Sequence, residues 1–144
     1  MYRGTPPSLE VLLVHPGGPF WRNKDDGAWS IPKGEINAGE NPEDVALREF
    51  MEELGSAPAG RLRSIGEIRQ RGGKRVYAFA MDGDLDVETV ASNTFEMEWP
   101  RKSGRMQIFP EVDRAEWFTL PIARTKILDG QLPLLDRLEE LVCR

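Results

Sequence analysis

The run Leu9-Glu10-Val11-Leu12-Leu13-Val14 reads as a buried strand over Leu9–His15, stopped by the turn His15-Pro16-Gly17-Gly18-Pro19. Phe20–Asp26 mixes aromatic and charged residues and ends at Gly27, a loop pattern. Ala28–Ile31 predicts a short extended piece, because Pro32 disfavours helix in the residue before it, and Pro32-Lys33-Gly34 predicts a turn. A helix starts after Asn41: asparagine is a good N-cap, Pro42 suits the first helical position, and Glu43 and Asp44 favour the positive end of the helix dipole. Gly55 supplies the C-terminal stop. Strand patterns over Leu62–Gln70 and Lys74–Met81 flank Arg71-Gly72-Gly73, a hairpin signal. Asp82–Arg105 is polar and irregular, and a further strand is expected over Glu116–Thr119. Helices are expected over Pro121–Leu128 and Leu132–Cys143, the second with Leu134, Leu135, Leu138 and Leu141 on one face. Strands flanked by helices predict a mixed α/β domain, and 144 residues fit one domain over 1–144.

The first helix carries the candidate chemistry. With Ala46 set at zero on a helical wheel, Leu47, Phe50, Met51 and Leu54 fall between roughly 40° and 140°, the expected core face. Glu49, Glu52 and Glu53 fall at roughly 300°, 240° and 340° on that wheel, a separate arc of three carboxylates. Side chains at these spacings are neighbours, and like charges there destabilise a helix unless solvent or a cation compensates. Arg48 is placed to pair with Glu52 and Asp44. A glutamate-rich face is ordinarily just solvated. The alternative is that these hard oxygen ligands hold Mg2+ or Mn2+, and the helix alone leaves both open.

Composition narrows the classes. Hydrophobic residues make up 40% and charged residues 30%, enough to build a core. The longest apolar run, Val11–Val14, is far short of the roughly 20 residues of a membrane span, and the start has no leader pattern, so cytoplasm is the expected compartment. The single cysteine, Cys143, excludes an internal disulfide and a cysteine-based zinc site. A net charge of −5 argues against a stable complex with nucleic acid backbones, while a small polyanion can bind an acidic site through divalent cations. His15, the one histidine, precedes a turn and reads as structural, and Trp29 and Trp117 as packing residues.

The segment Gly34–Gly55, GEINAGENPEDVALREFMEELG, resembles the Nudix box of the MutT-type pyrophosphohydrolases. Gly34, Glu40, Arg48, Glu49, Glu52, Glu53 and Gly55 fill the polar and glycine positions of that pattern. Ser56 departs from it, where the family usually carries an aliphatic residue; weaker packing after the helix is expected, with the chemistry intact. Trp29-Ser30-Ile31-Pro32-Lys33-Gly34 and Pro110-Glu111-Val112-Asp113-Arg114-Ala115-Glu116-Trp117 look like motifs of the asymmetrical diadenosine tetraphosphate hydrolase branch. Only Met1–Arg3 stand before the Gly4-Thr5-Pro6-Pro7 turn, where the family has a full strand; the strand is short here or the recorded start lies inside it.

The resemblance implies an α/β/α sandwich with a mixed central sheet. It implies that Glu49, Glu52 and Glu53 bind Mg2+ or Mn2+ with the Gly34 carbonyl, and that Glu111 reaches the metal from a loop. Arg48 would orient the glutamates, Glu40 would support the loop–helix junction, and Glu49, Glu53 or Glu111 would take the proton of the attacking water. The implied reaction is in-line attack of a metal-bound water on a nucleoside or dinucleoside polyphosphate, foremost diadenosine tetraphosphate cut to ATP and AMP. The alternatives are a nucleoside triphosphate pyrophosphatase, an RNA 5′-end pyrophosphohydrolase, and a Nudix-fold module that binds a nucleotide without turnover. Lys33, Arg69, Arg71 and Lys74 are candidate phosphate contacts. Tyr77 is a candidate for stacking on a nucleobase, as are the loop aromatics Phe20 and Trp21. Either a monomer or a homodimer is compatible.

Overall fold

The structure, a computed structural model, describes residues 1–33, 36–58, 60–69 and 73–143. Gly34, Gln70, Arg71 and Gly72, all named in the sequence reading, lie outside the described residues. β1 (Tyr2–Arg3) precedes β2 (Glu10–Pro16), followed by α1 (Pro42–Leu54), β3 (Arg63–Arg69) and β4 (Arg75–Ala80). Then come β5 (Thr94–Glu98), β6 (Met106–Pro110), β7 (Val112–Thr119), α2 (Leu120–Lys126) and α3 (Leu132–Val142).

β2 organises the sheet. One edge pairs antiparallel with β7, Leu12 opposite Trp117 and Val14 opposite Ala115. Its other edge is shared between β1, with Tyr2 opposite Val11, and Ser30, whose amide and carbonyl both bond Val14. Tyr2 also bridges in parallel to Asp82, just beyond β4, and so joins the antiparallel β3–β4 pair to the others. The combination is mixed parallel and antiparallel. β5 and β6 pair with each other, Phe95 opposite Phe109.

Alternation along β2 separates two cores, since successive strand side chains point to opposite faces. Val11 and Leu13 pack with Trp29 and Phe118 under Ala123 of α2 and Leu135 and Leu138 of α3. Leu12 and Val14 pack with Phe50 and Leu54 of α1, Met81 and Val112. Helices thus cover both faces, the α/β/α arrangement expected. Burying each large aliphatic side chain contributes about 1.5–3 kcal/mol, so the β2 run holds both layers together. Among the described residues no helix is long and apolar enough to cross a membrane.

Three expectations need correction. Asp82–Arg105 is not irregular throughout: it contains β5, and β6 follows it. The strand expected over Glu116–Thr119 begins at Val112. The α1 core face is only half the one predicted: Phe50 and Leu54 are buried as expected, but Leu47 and Met51 are exposed at 36% and 48% and Val45 is buried instead. On the wheel Val45 stands at roughly 260°, so the helix is rolled, and its buried arc takes in Glu49 and Glu53.

Candidate active site

α1 is built as its signals require. Asn41 Oδ1 accepts from the amides of Glu43 at 2.9 Å and Asp44 at 3.4 Å, satisfying donors that have no partner inside the helix. At the other end Gly55 adopts φ 75°, a left-handed conformation that glycine tolerates, and donates to Met51 O at 2.8 Å. The last carbonyls are met by a distant segment. Asn93 N–H donates to Glu52 O at 2.8 Å and Ala91 N–H to Leu54 O at 3.3 Å.

That same Asn93 places Glu111. Its carbonyl accepts from the Glu111 amide at 2.8 Å, and the Glu111 carbonyl accepts from Gly17 N–H at 2.9 Å. Gly17 leaves no room for a side chain: a Cβ there would stand 1.9 Å from Pro110 O. Glu111, between β6 and β7, is thereby fixed to the end of β2 and to the last turn of α1.

Lys33, Glu53 and Glu111 line one cleft of about 240 Å3, together with Trp21, Ser30 and Val112. Burial pushes the Glu53 carboxyl up from 4.5 to about 8; the charges of Glu49 and Glu111 add to this, while the Lys33 amide and ammonium oppose it. Glu53 Oε2 is buried and has no hydrogen-bond partner among the described residues. Burial also raises the Glu49 carboxyl, with the charges of Glu52 and Glu111 adding to it and Arg48 opposing. Arg48 donates to Glu40 Oε2 at 2.6 Å and stands 3.8 Å from Glu49 Oε1. Glu40 also accepts from the Asn37 amide at 2.8 Å, which ties the loop to the helix. The hydrogen bond from Arg48 holds the Glu40 carboxyl below its usual range.

Taken as they stand, no three acidic, histidine or cysteine side chains among the described residues converge closely enough to enclose an ion. The environment of the donor set is what fits a cation. A half-buried group of mutually repelling carboxylates, one with an oxygen lacking a donor among the described residues, is stabilised by positive charge.

Residues 5–138 match the NUDIX domain. The chain belongs to the NUDIX family. An RNA pyrophosphohydrolase of Alkalilimnicola ehrlichii is 41% identical over 58 residues, which are 39% of this chain and 32% of that protein. An octanoyltransferase of Myxococcus xanthus is 29% identical over 126 residues, 87% of this chain and 30% of that one. The chain thus spans about a third of the length of these curated relatives. An Ap4A hydrolase from C. elegans, solved as a binary complex, shares the fold with a TM-score of 0.63 and 20% identity, covering 99% of this chain and 93% of that one.

Within this NUDIX domain the remaining sequence candidates stand apart from the cleft. Arg69 ends β3, exposed and opposite Arg75. Lys74 is exposed just before β4. Tyr77 of β4, 40% exposed, lines a second cavity of about 110 Å3, which is apolar and meets the cleft's lining only at Lys33. The sequence reading missed two supports. One is Asn93. The other is Gln131, fully buried, whose Oε1 accepts from the Ile31 amide at 3.0 Å and whose Nε2 donates to Ser30 Oγ at 3.0 Å. Gln131 holds the stretch that leads to Lys33, and a glutamine beside Gly130 gave no local signal of that contact.

Proposed function

We propose that the protein is a Mg2+- or Mn2+-dependent pyrophosphohydrolase of nucleoside or dinucleoside polyphosphates, with diadenosine tetraphosphate cut to ATP and AMP as the leading reaction. The observation that carries this reading is the buried Glu53 Oε2, without a donor among the described residues, in a cleft shared with Lys33 and Glu111. An oxygen withdrawn from water without a partner is costly, and a hard cation is the partner such a carboxylate group is suited to.

Glu49, Glu52 and Glu53 would hold the ion, with Glu111 and the Gly34 carbonyl completing the set. When bound, the ion neutralises charge on the phosphate oxygens. Phosphoryl transfer otherwise asks the protein for positioning and electrostatics. Lys33 brings a positive charge into the cleft for the phosphate chain. Arg69, Lys74 and Tyr77 would meet only a more distal part of a long substrate. Arg48 restrains Glu49 while it is anchored by Glu40. Glu49, Glu53 and Glu111 are the candidates to take the proton of the attacking water. The fold shared with an Ap4A hydrolase supports the leading substrate.

A second reading, hydrolysis at a triphosphorylated RNA 5′ end, is favoured by the RNA pyrophosphohydrolase that matches the chain. Incubation with diadenosine tetraphosphate, nucleoside triphosphates and triphosphorylated RNA, with and without Mg2+, separates the possibilities by chromatography of the products. ATP and AMP in equal amounts are expected. Pyrophosphate release from RNA alone would install the second reading, and tight nucleotide binding with no product would leave a binding module.

A further inference from the structure

Among the described residues Trp21 is the one aromatic side chain lining the cleft of Glu53 and Glu111. It is neither a core residue, as Trp29 is at 1% exposure, nor a free surface group. Its turn is closed locally: Trp21 N–H donates to Gly18 O at 3.3 Å and Lys24 N–H to Trp21 O at 2.9 Å. Buried His15 fastens that turn to the sheet, with Nε2 2.7 Å from Lys24 O and Nδ1 2.7 Å from Asp113 Oδ1. From the other side the β5–β6 hairpin grips the neighbouring ring. Phe20 meets Trp99 edge-on at 5.4 Å, and the Arg101 guanidinium lies 4.9 Å from the Phe20 centroid. The turn that carries the indole is therefore held from two directions.

The geometry points to Trp21 as the platform on which the nucleobase of the substrate stacks while its phosphates face Lys33, Glu53 and Glu111. This rests on the proposed nucleotide chemistry of the cleft and adds the residue that holds a base. The acidic groups and Lys33 address phosphate and cation; none of them presents a flat apolar surface to a base. An indole does, and stacking on it tolerates any base because every base has a π face. The Lys24 ammonium, 5.0 Å from the Trp21 centroid, already uses one such interaction. Tyr77 is the rival platform, but among the described residues its cavity has no acidic residue in its lining. A nucleotide seated there would meet Lys33 and none of the three carboxylates.

The test uses the whole protein and two probes, AMP and ribose 5-phosphate, with binding followed calorimetrically. Trp21→Ala is expected to weaken AMP roughly tenfold to a hundredfold, the range for losing one stacked base, while ribose 5-phosphate is unchanged. Trp21→Phe should restore most of the AMP affinity, and its survival as a folded protein guards against misreading a damaged loop. In turnover Trp21→Ala should raise KM for the nucleotide with kcat within about twofold, since a contact made equally in ground and transition states acts on KM. Equal loss of both probes in Trp21→Ala, or loss of AMP selectivity in Tyr77→Ala but not in Trp21→Ala, would overturn the assignment. Base-selective binding that depends on Trp21 in a protein that hydrolyses nothing would support the platform and sink only the proposed reaction.

Discussion

Replacing Glu53 by glutamine should stabilise the metal-free protein at neutral pH while removing its activity. The carboxyl titrates at about 8 in the folded chain, against an ordinary value of 4.5, chiefly because it is buried. Its contribution to stability is complete below about pH 4.5 and is lost as pH rises towards 8, because the unfolded chain ionises freely while the folded chain cannot. At about 1.4 kcal/mol per pH unit, the deficit at pH 7 is about 3 kcal/mol. Glutamine has nearly the same shape and no charge, so it lacks that deficit. Urea unfolding in EDTA at pH 5, 6, 7 and 8 gives the comparison. The variant should match the natural protein within about 1 kcal/mol at pH 5 and exceed it by about 4 kcal/mol at pH 8. Added Mg2+ should reverse the order, since an ion that binds only the folded state stabilises it in proportion to its affinity, and the glutamine site binds it less well. Glu49 is also raised by burial and tilts both pH profiles, so the quantity to read is the difference between the two proteins. A difference that stays flat from pH 5 to pH 8 would refute the reasoning.

The supports of the site give further expectations. Glu111→Gln should lower turnover about a hundredfold or more, the low end for losing a group that moves a proton, with little change in unfolding because Glu111 is exposed; a turnover within threefold of the original would make it a bystander. Asn93→Pro removes the N–H that meets Glu52 O and should cost about 1–3 kcal/mol, together with activity through the displaced Glu111. Asn93→Ala keeps both backbone bonds and should stay within about 0.5 kcal/mol, measured by the same unfolding assay. Gln131→Leu leaves the Ile31 amide without its acceptor and should cost about 1–3 kcal/mol, lowering the thermal midpoint by several degrees.

What the sequence revealed and what it hid divide along the range of the interactions. α1 was legible to the residue because its signals are local: Asn41 caps with its own side chain and Gly55 turns left-handed, each within four residues of the groups it serves. The β2 run was legible because both of its faces are buried, which leaves a run of apolar residues instead of an alternation. The β5–β6 hairpin was hidden. Its strands pair with each other, so Phe95, Met97 and Phe109 are only half-buried, and Glu96, Glu98 and Gln107 dilute the pattern. Met106 and Ile108 are exposed at 61% and 65%, which is apolar character spent outside any core.

The roll of α1 shows why the site was harder to see than the helix. A wheel assigns the apolar arc to the core, and that rule fails when part of the interior is a polar cleft. Here Leu47 and Met51 are left outside, and the arc carrying Glu49 and Glu53 turns in towards Lys33 and Glu111. The exposed apolar surface and the crowded acids both oppose this orientation, so other contacts must hold it. The bonds from Asn93 and Ala91 to the last turn of α1 do so, together with Phe50 and Leu54 packed against Leu12 and Val14. Cutting Leu54, wholly buried, to alanine would cost about 2–5 kcal/mol, and the helix would lose its grip beside the glutamates. The acidic arc is thus held inward by a polar strap at one end and an apolar wedge beneath. Neither was visible at the spacing of the glutamates themselves, because both depend on residues roughly forty positions away.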